Sequence, residues 1–318
     1  MTGEPGTICV LGGTGFVGRH LAARWTQLGH TLRVPTRSIA RHRELLVLPR
    51  VSLVEGNVHD PQVLRALCEG CDTVVNLVGI LNERGRDGRG FRRAHVELAQ
   101  KVVEVCSTLG IHRLLHMSAL RADAPDAPSR YLRSKGEAET IVRSAPGIAS
   151  TIFRPSTIFG PDDSFLNRFA RLLRLPSPLF PLPRADARFA PVHVGDVVAA
   201  YTRALLDPHT AGESYELCGP RVWTLREIVD GIARALSLRR RVVALPDALA
   251  RMQAHIMDFV PGKPFSTDNF LSLTIDSVCA RDGLAQLGIR PAPLEPSLRL
   301  LADDQQERYD RFRRLSRR

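Results

Sequence analysis

Thr7-Ile-Cys-Val-Leu-Gly12-Gly-Thr-Gly15-Phe-Val-Gly18 is a run of strand-favouring residues that passes into spaced glycines and then into an amphipathic stretch of helical length. A glycine pattern alone says little. Placed between a strand and a helix, it marks a loop built to hold a dinucleotide. Gly12 permits the tight turn, Gly15 lets backbone approach a pyrophosphate, and Gly18 lets helix and strand pack closely. The helix beyond presents unpaired N–H groups and a partial positive charge to phosphates. Thr14, Phe16 and Val17 complete this loop as candidate cofactor contacts.

The pattern repeats outward from that loop. Apolar, strand-like runs at 7–12, 31–35, 51–54, 73–78, 113–117 and 150–154 alternate with helical patterns at 17–28, 61–67, 91–109 and 131–144. Strands that are apolar nearly throughout, each separated from the next by a helix, predict an α/β fold: a Rossmann-type, doubly wound parallel sheet covered on both faces. Beyond Arg154 the regularity decays. The Pro-rich stretch 176–183 reads as a loop. A strand at 188–192 and a helix at 195–206 follow, and Thr224 with Glu227 forms a capping box before the next helix. The expected organisation is a dinucleotide-binding domain over 1–158, completed by 187–210, a smaller C-terminal lobe from 159–186 and 211–310, and a basic tail at 311–318. That lobe is expected to supply the wall facing a substrate.

The end of the second strand selects the nucleotide. An acidic residue there favours NAD by accepting hydrogen bonds from the ribose hydroxyls. Here Thr36 stands in that place and Arg37 follows it. A guanidinium can pair with a 2′-phosphate, so NADP(H) is favoured over NAD(H), with Arg41 and Arg43 near enough in sequence to help.

A second constellation lies after the fifth strand. Ser118 ends that strand, Tyr131 comes thirteen residues later, and Lys135 stands four beyond it, which puts phenol and ammonium on one helix face. A tyrosine with its ordinary pKa of about 10 is a poor base near neutrality, and a neighbouring ammonium stabilises the phenolate. Tyr131 could then exchange a proton with a substrate oxygen held by Ser118 while hydride passes to or from a nicotinamide, and Lys135 could hold the ribose hydroxyls. Lysine fills only three of the chain's 44 basic positions, yet one of them is here. Chance occurrence on a solvated helix is the bland alternative.

In this order the glycine loop, Asn76-Leu-Val-Gly79, Ser118, Tyr131/Lys135, Arg154-Pro155, Phe159-Gly160-Pro161 and Pro191-Val-His-Val-Gly-Asp196 resemble the extended or atypical short-chain dehydrogenases/reductases, the NAD-dependent epimerase/dehydratase superfamily. The resemblance spans residues 7 to about 230. Within that superfamily, Asn76-Leu-Val-Gly-Ile-Leu-Asn82, Tyr131-Leu-Arg-Ser-Lys-Gly-Glu137, Arg154-Pro-Ser-Thr-Ile-Phe-Gly160 and Asp163-Ser-Phe-Leu-Asn-Arg-Phe169 are most similar to the nucleotide-binding accessory subunit of respiratory complex I and its bacterial relatives. The resemblance implies tightly held NADPH, with a structural role in the mitochondrial subunit; a related branch is tied to ubiquinone biosynthesis. It also implies cofactor contacts from Asn57, Val58, Leu77, Val78, Gly79, Pro155, Ser156 and Ile158, with Asn57 standing where the family has an aspartate on adenine. His193 and Asp196 are read as structural. Three readings follow: an NADP(H)-dependent oxidoreductase acting on a quinone-related or other lipophilic carbonyl; a non-catalytic nucleotide-binding accessory or assembly protein; and, less favoured, a redox sensor.

Composition sets the frame. The chain has 318 residues, 44% hydrophobic and 24% charged, with a net charge of +11. No apolar run reaches the roughly 18 residues of a spanning helix. No signal peptide is visible at the start, so the expected location is cytoplasmic, with a position peripheral to the inner membrane as the alternative. The Arg excess is scattered and does not mark specific nucleic-acid binding. Its one cluster, Arg308 to Arg318, could meet a protein complex or an anionic membrane surface. Six cysteines in so long a chain do not make a disulfide framework. Cys68 and Cys71 form an isolated CxxC that closes a helix and has no partner set for a metal, so they are read as structural thiols. The segment 252–261 is apolar and reads as core packing, with the lining of a lipophilic substrate pocket as the alternative.

Overall fold

A computed structural model describes residues 5–124, 126–260, 263 and 265–301. Along the chain come β1 (Thr7–Leu11), α1 (Phe16–Gln27), β2 (Thr31–Thr36), β3 (Val51–Glu55), α2 (Pro61–Cys68) and β4 (Thr73–Asn76). A one-turn helix α3 (Arg89–Phe91), a π-helical turn over Arg92–Glu97 and α4 (Leu98–Leu109) then form one continuous rod. After them come β5 (Arg113–Met117), α5 (Arg130–Arg143), β6 (Ala149–Pro155), β7 (Ile158–Phe159), α6 (Ser164–Leu173), β8 (Leu179–Pro183), β9 (Arg188–Phe189) and β10 (Val192–His193). The remainder is α7 (Val194–Leu206), β11 (Ser214–Leu217), β12 (Trp223–Thr224), α8 (Leu225–Ala235), β13 (Arg241–Leu245), α9 (Asp247–Met257), α10 (Thr267–Ser272) and α11 (Gly283–Gln286).

Two compact units result. Among the described residues, the first comprises those up to Pro155 with Val194–Leu217 and Cys279–Arg290; the second comprises Ser156–His193, Cys218–Val278 and those from Pro291 onward. The first unit is a seven-stranded sheet in the order β11-β6-β5-β4-β1-β2-β3, parallel throughout. Its inner strands β1, β4, β5 and β6 are buried on both faces, as nearly continuous apolar runs require, whereas the edge strand β3 has no buried residue. Cys9, Leu11, Val74, Leu114 and Ile152 turn toward Leu64, Leu98, Val102 and Ala138 from α2, α4 and α5. On the other face α1 packs against α7, where the Trp25 indole N–H donates to the Thr202 hydroxyl at 3.0 Å. The free thiols of Cys9, Cys68, Cys71 and Cys106 are all buried, as structural cysteines should be.

The strand order reverses between β1 and β4. In such sheets the crevice at the carboxyl ends of the strands beside this switch point is where ligands bind. Every candidate loop of the first unit, after β1, β2, β3, β4 and β5, leaves that same edge.

The second unit is built around Phe159, Leu166, Leu182, Phe189, Trp223, Ile228, Ile232 and Val242. The capping box at the start of α8 is present, with Thr224 and Glu227 satisfying each other's backbone N–H groups. Two readings need correction here. The Pro-rich stretch is not wholly loop: β8 pairs in parallel with β13, from Leu179 beside Arg241 to Pro183 beside Leu245. In a two-stranded ribbon β8 has only one neighbour, so prolines that cannot donate are tolerated. The strand expected at 188–192 is two short ones, β9 pairing β12 and β10 pairing β7.

Among the described residues no helix is long and apolar enough to cross a membrane, and no cluster of His, Cys, Asp and Glu could hold a metal ion. The basic cluster at 308–318 and Pro261 lie outside the described residues.

Candidate functional site

The loop after β1 turns on Gly12, whose φ of +77° favours glycine. The turn is closed by Gly13 N–H donating to Val10 O at 3.1 Å and Gly15 N–H to Gly12 O at 2.9 Å. A Cβ on Gly18 would fall 2.4 Å from Gly13 Cα, so α1 can start this close to the loop only without a side chain there. Gly15 is exposed and begins α1 with no side-chain cap and no acidic residue in the first turn. The N–H groups of the first turn are therefore left to an external acceptor, a suitable seat for a pyrophosphate. Thr14 and Phe16 are half-buried beside the loop and Val17 is buried beneath it.

At the end of β2 the Thr36 hydroxyl is tied to Ser38, accepting from its N–H at 3.2 Å and donating to its carbonyl at 3.3 Å. Arg37 is exposed beyond it, with no ion pair among the described residues. After β3, Asn57 is exposed and its Oδ1 accepts from His59 N–H, while Val58 packs on the core.

β4 ends at Asn76, two residues before the expected point, because the Asn76 side chain takes over. Its Oδ1 accepts from Val78 N–H at 3.1 Å, and its amide meets His116 Nδ1 at 3.4 Å. The chain then passes through Leu77, Val78 and Gly79 beside α5. A Cβ on Gly79 would lie 3.1 Å from Lys135 Nζ and 3.6 Å from His95 Nε2.

Lys135 is the centre of the site. It is 3% exposed, and Nζ donates to Met117 O at 2.9 Å and, at the longer distance of 3.4 Å, to Val78 O. Burial without a carboxylate partner lowers its pKa to about 8. The next residue in the chain after Met117, Ser118, is buried with its Oγ unpartnered, although its N–H donates to Phe153 O. A hydroxyl left without a partner in the interior is costly unless a ligand completes it. Tyr131 lies one turn before Lys135 on α5, its ring edge-on to His95 with centroids 5.7 Å apart.

Two further anchors were not visible in the sequence. His95 sits in the π-helical turn and is buried; its Nε2 accepts from Ile80 N–H at 3.1 Å, which leaves the proton on Nδ1, 2.7 Å from the Ser134 hydroxyl. Ser134 in turn donates to Tyr131 O. Burial and the nearby Lys135 ammonium push His95 down to about 2, and the same two causes push His116 down to about 3, so both rings are neutral. A lone histidine in an apolar helix gives no signal of this. The second anchor is Arg154 at the end of β6, which pairs with the buried Glu139 of α5 and, at 2.8 Å, with Asp123. Gly136 permits the same approach: its Cβ would collide with Ala122 O at 2.1 Å.

The first unit thus gathers the glycine loop, Leu77, Val78, Gly79, Ser118, Tyr131 and Lys135 at one sheet edge, with Pro155 ending β6. Ser156 and Ile158 belong to the second unit, where Ser156 Oγ donates to Ser277 O at 2.7 Å and Ile158 pairs with Val192.

A family model described as the NAD dependent epimerase/dehydratase family matches residues 8–218. The chain is 31% identical over 290 residues to NADH dehydrogenase (ubiquinone) 1 alpha subcomplex subunit 9 of Arabidopsis thaliana, covering 86% of this chain and 71% of that one. It is 30% identical over 250 residues to a ceramide reductase of Caulobacter vibrioides, covering 77% and 75%. Among solved structures, MoeE5 in complex with UDP-glucose and NAD shares the fold at a TM-score of 0.75 and 18% identity, over 96% of this chain and all of that one.

Proposed function

The chain belongs to the NAD dependent epimerase/dehydratase family, and from that premise we propose that it is an NADP(H)-dependent reductase of a lipophilic carbonyl compound. The observation that carries this reading is the buried, uncompensated ammonium of Lys135 beside the unpartnered hydroxyl of Ser118. Such a pair is expensive in a core that only packs, and useful where a cofactor and a carbonyl complete it.

The nicotinamide, when bound, supplies the hydride. The chain supplies everything else. The loop from Gly12 to Gly18 holds the pyrophosphate, and Arg37, with no carboxylate at position 36, takes the 2′-phosphate. Leu77, Val78, Gly79, Asn57, Val58 and Pro155 complete the cofactor contacts of the first unit. Ser118 donates to the carbonyl oxygen, and Tyr131 gives its phenolic proton to that oxygen as the carbon is reduced. Lys135 lowers the cost of the resulting phenolate and engages the ribose hydroxyls. The ceramide reductase relative supports a lipophilic substrate.

A second reading is favoured by the similarity to mitochondrial complex I subunits: an accessory protein whose nucleotide is held and not consumed. One assay separates the two. Purified protein is mixed with NADPH or NADH and a lipid-containing small-molecule extract, beside Tyr131→Phe. Loss of nicotinamide absorbance with the native protein, faster for NADPH and absent in the variant, is expected. Equal NADPH consumption by the variant removes Tyr131 from the mechanism; retention of reduced nucleotide by both proteins favours the accessory reading.

A further inference from the structure

The second unit carries its apolar residues in an unusual place. On α9, Ala250 and Ala254 face inward against Phe270, so the helix is seated by two alanines. Its larger ones point to solvent: Met252 and Ile256 are each 56% exposed, Leu249 is 47% exposed, and Phe259 just past the helix is 68% exposed. The spacing 249, 252, 256 and 259 is that of one helix face. These residues therefore do not form core, against the expectation for 252–261. The exposed apolar character continues on the ribbon that leads into the helix, where Leu179 and Val243 also face solvent.

At the other end of the ribbon positive charge predominates, four arginines against one aspartate. An open groove of about 520 Å³ is lined by Arg234, Arg239, Arg240 and Arg241 together with Pro178 and Asp230. Arg240 is partly engaged, donating to Leu173 O at 2.9 Å, while Arg234, Arg239 and Arg241 are exposed. Arg241 is registered beside Leu179, so the basic cluster adjoins the exposed apolar residues. Five residues of β13, about 16 Å of extended chain, separate it from the start of α9. The carboxylates at the ends of α9 are already engaged: Asp247 pairs with Arg184 at 3.0 Å, and Asp258 accepts from the Thr267 hydroxyl at 2.6 Å.

We propose that this face of the second unit docks on an anionic lipid bilayer, with Leu249, Met252, Ile256 and Phe259 entering the boundary between headgroups and acyl chains and Arg234, Arg239 and Arg241 lying on lipid phosphates. A bilayer takes up both features at once, aliphatic side chains into its interior edge and guanidinium groups on its charged surface. A second copy of this chain fits less well: pairing through α9 would cover the apolar stripe but set two chains of net charge +11 side by side. No helix among the described residues is long and apolar enough to cross a membrane.

The test is flotation of the full-length protein with vesicles of phosphatidylcholine alone or mixed with phosphatidylglycerol. Binding is expected only to the mixed vesicles and should weaken with salt. Met252→Glu combined with Ile256→Glu should lower partitioning by about tenfold or more, and so should Arg239→Glu combined with Arg241→Glu, because each charge near the surface is worth a factor of about five. Both double variants should keep the native thermal midpoint and nucleotide affinity, since the altered side chains are at the surface; Met252→Gln with Ile256→Gln repeats the test with neutral groups. Absence of binding to either vesicle overturns the proposal. So does binding unchanged in both double variants, which would move the contact elsewhere, or a concentration-dependent dimer that the Met252/Ile256 variants abolish without any vesicle binding.

Discussion

Helices α5 and α9 depart from the ordinary inside-apolar pattern in opposite directions. α5 buries Ser134, Lys135 and Glu139, whereas α9 buries two alanines and exposes Leu249, Met252 and Ile256. On α5 each buried polar group is held by a named partner from another element: Met117 O and Arg154 from strand ends and His95 from the π-helical turn. On α9 no equivalent partner covers the exposed apolar face among the described residues. A buried polar group with partners is a built device, and an exposed apolar stripe beside concentrated charge is a surface awaiting one.

The largest effect is expected from cutting the α5 anchor. Arg154→Leu leaves the Glu139 carboxylate buried with only Arg143, itself half-exposed, to compensate it. The unfolding free energy in urea should fall by about 3–5 kcal/mol. Acid makes the next largest change. His95 and His116 stay neutral in the folded state down to about 2 and about 3, whereas in the unfolded chain they take up protons below about 6.5. The unfolded state therefore binds more protons between these limits. Stability should fall as pH drops below 6.5, by about 1.4 kcal/mol per pH unit for each histidine. His95→Asn should remove one histidine's share of that slope in denaturation curves measured across pH.

Lys135→Met sharpens the comparison from the other side. It makes α5 resemble an ordinary core helix, and at neutral pH it should stabilise the protein by about 1–3 kcal/mol, net of the lost bonds to Val78 and Met117, while abolishing turnover. The native protein should also gain stability as pH rises from about 8 toward 10.5, because only the unfolded chain keeps that proton there; the variant should not. Smallest of all is the effect of Met252→Ser with Ile256→Ser. Thermal unfolding should move by no more than about 0.5 kcal/mol, since the lost side chains touch little. A large loss would mean that α9 is packed after all.

Much of the first unit was legible in the sequence, since fully buried parallel strands must be apolar throughout and a dinucleotide loop needs glycine where backbone comes close. The first six parallel strands, Ser118 after β5 and the helical spacing of Tyr131 and Lys135 follow from such local rules, whereas the seventh strand, β11, lies in a stretch read as part of the smaller lobe. Other features depend on what the chain meets far along its length. Arg154 is marked by its place at the end of a strand and in the family motif, but its pairing with Glu139 shows only once β6 and α5 are side by side. His95 becomes an anchor only because a π turn interrupts a helix that periodicity reads as continuous. The prolines of β8 argue against a strand until its single partner β13 is known. For α9 the same apolar residues suit a core or a surface equally well, and only the fold distinguishes the two.

In the function proposed here, Tyr131 and Lys135 serve a hydride transfer and do more than cradle a nucleotide. This role is tested most directly by incubating the protein with NADPH deuterated on either face of nicotinamide C4, together with the lipid extract, and following the label by mass spectrometry. The account predicts that deuterium from one face appears on the carbinol carbon of an alcohol product with the native protein and in no product with Tyr131→Phe. Equal transfer by the variant, or a native protein that binds NADPH and leaves all its deuterium in place, would contradict it.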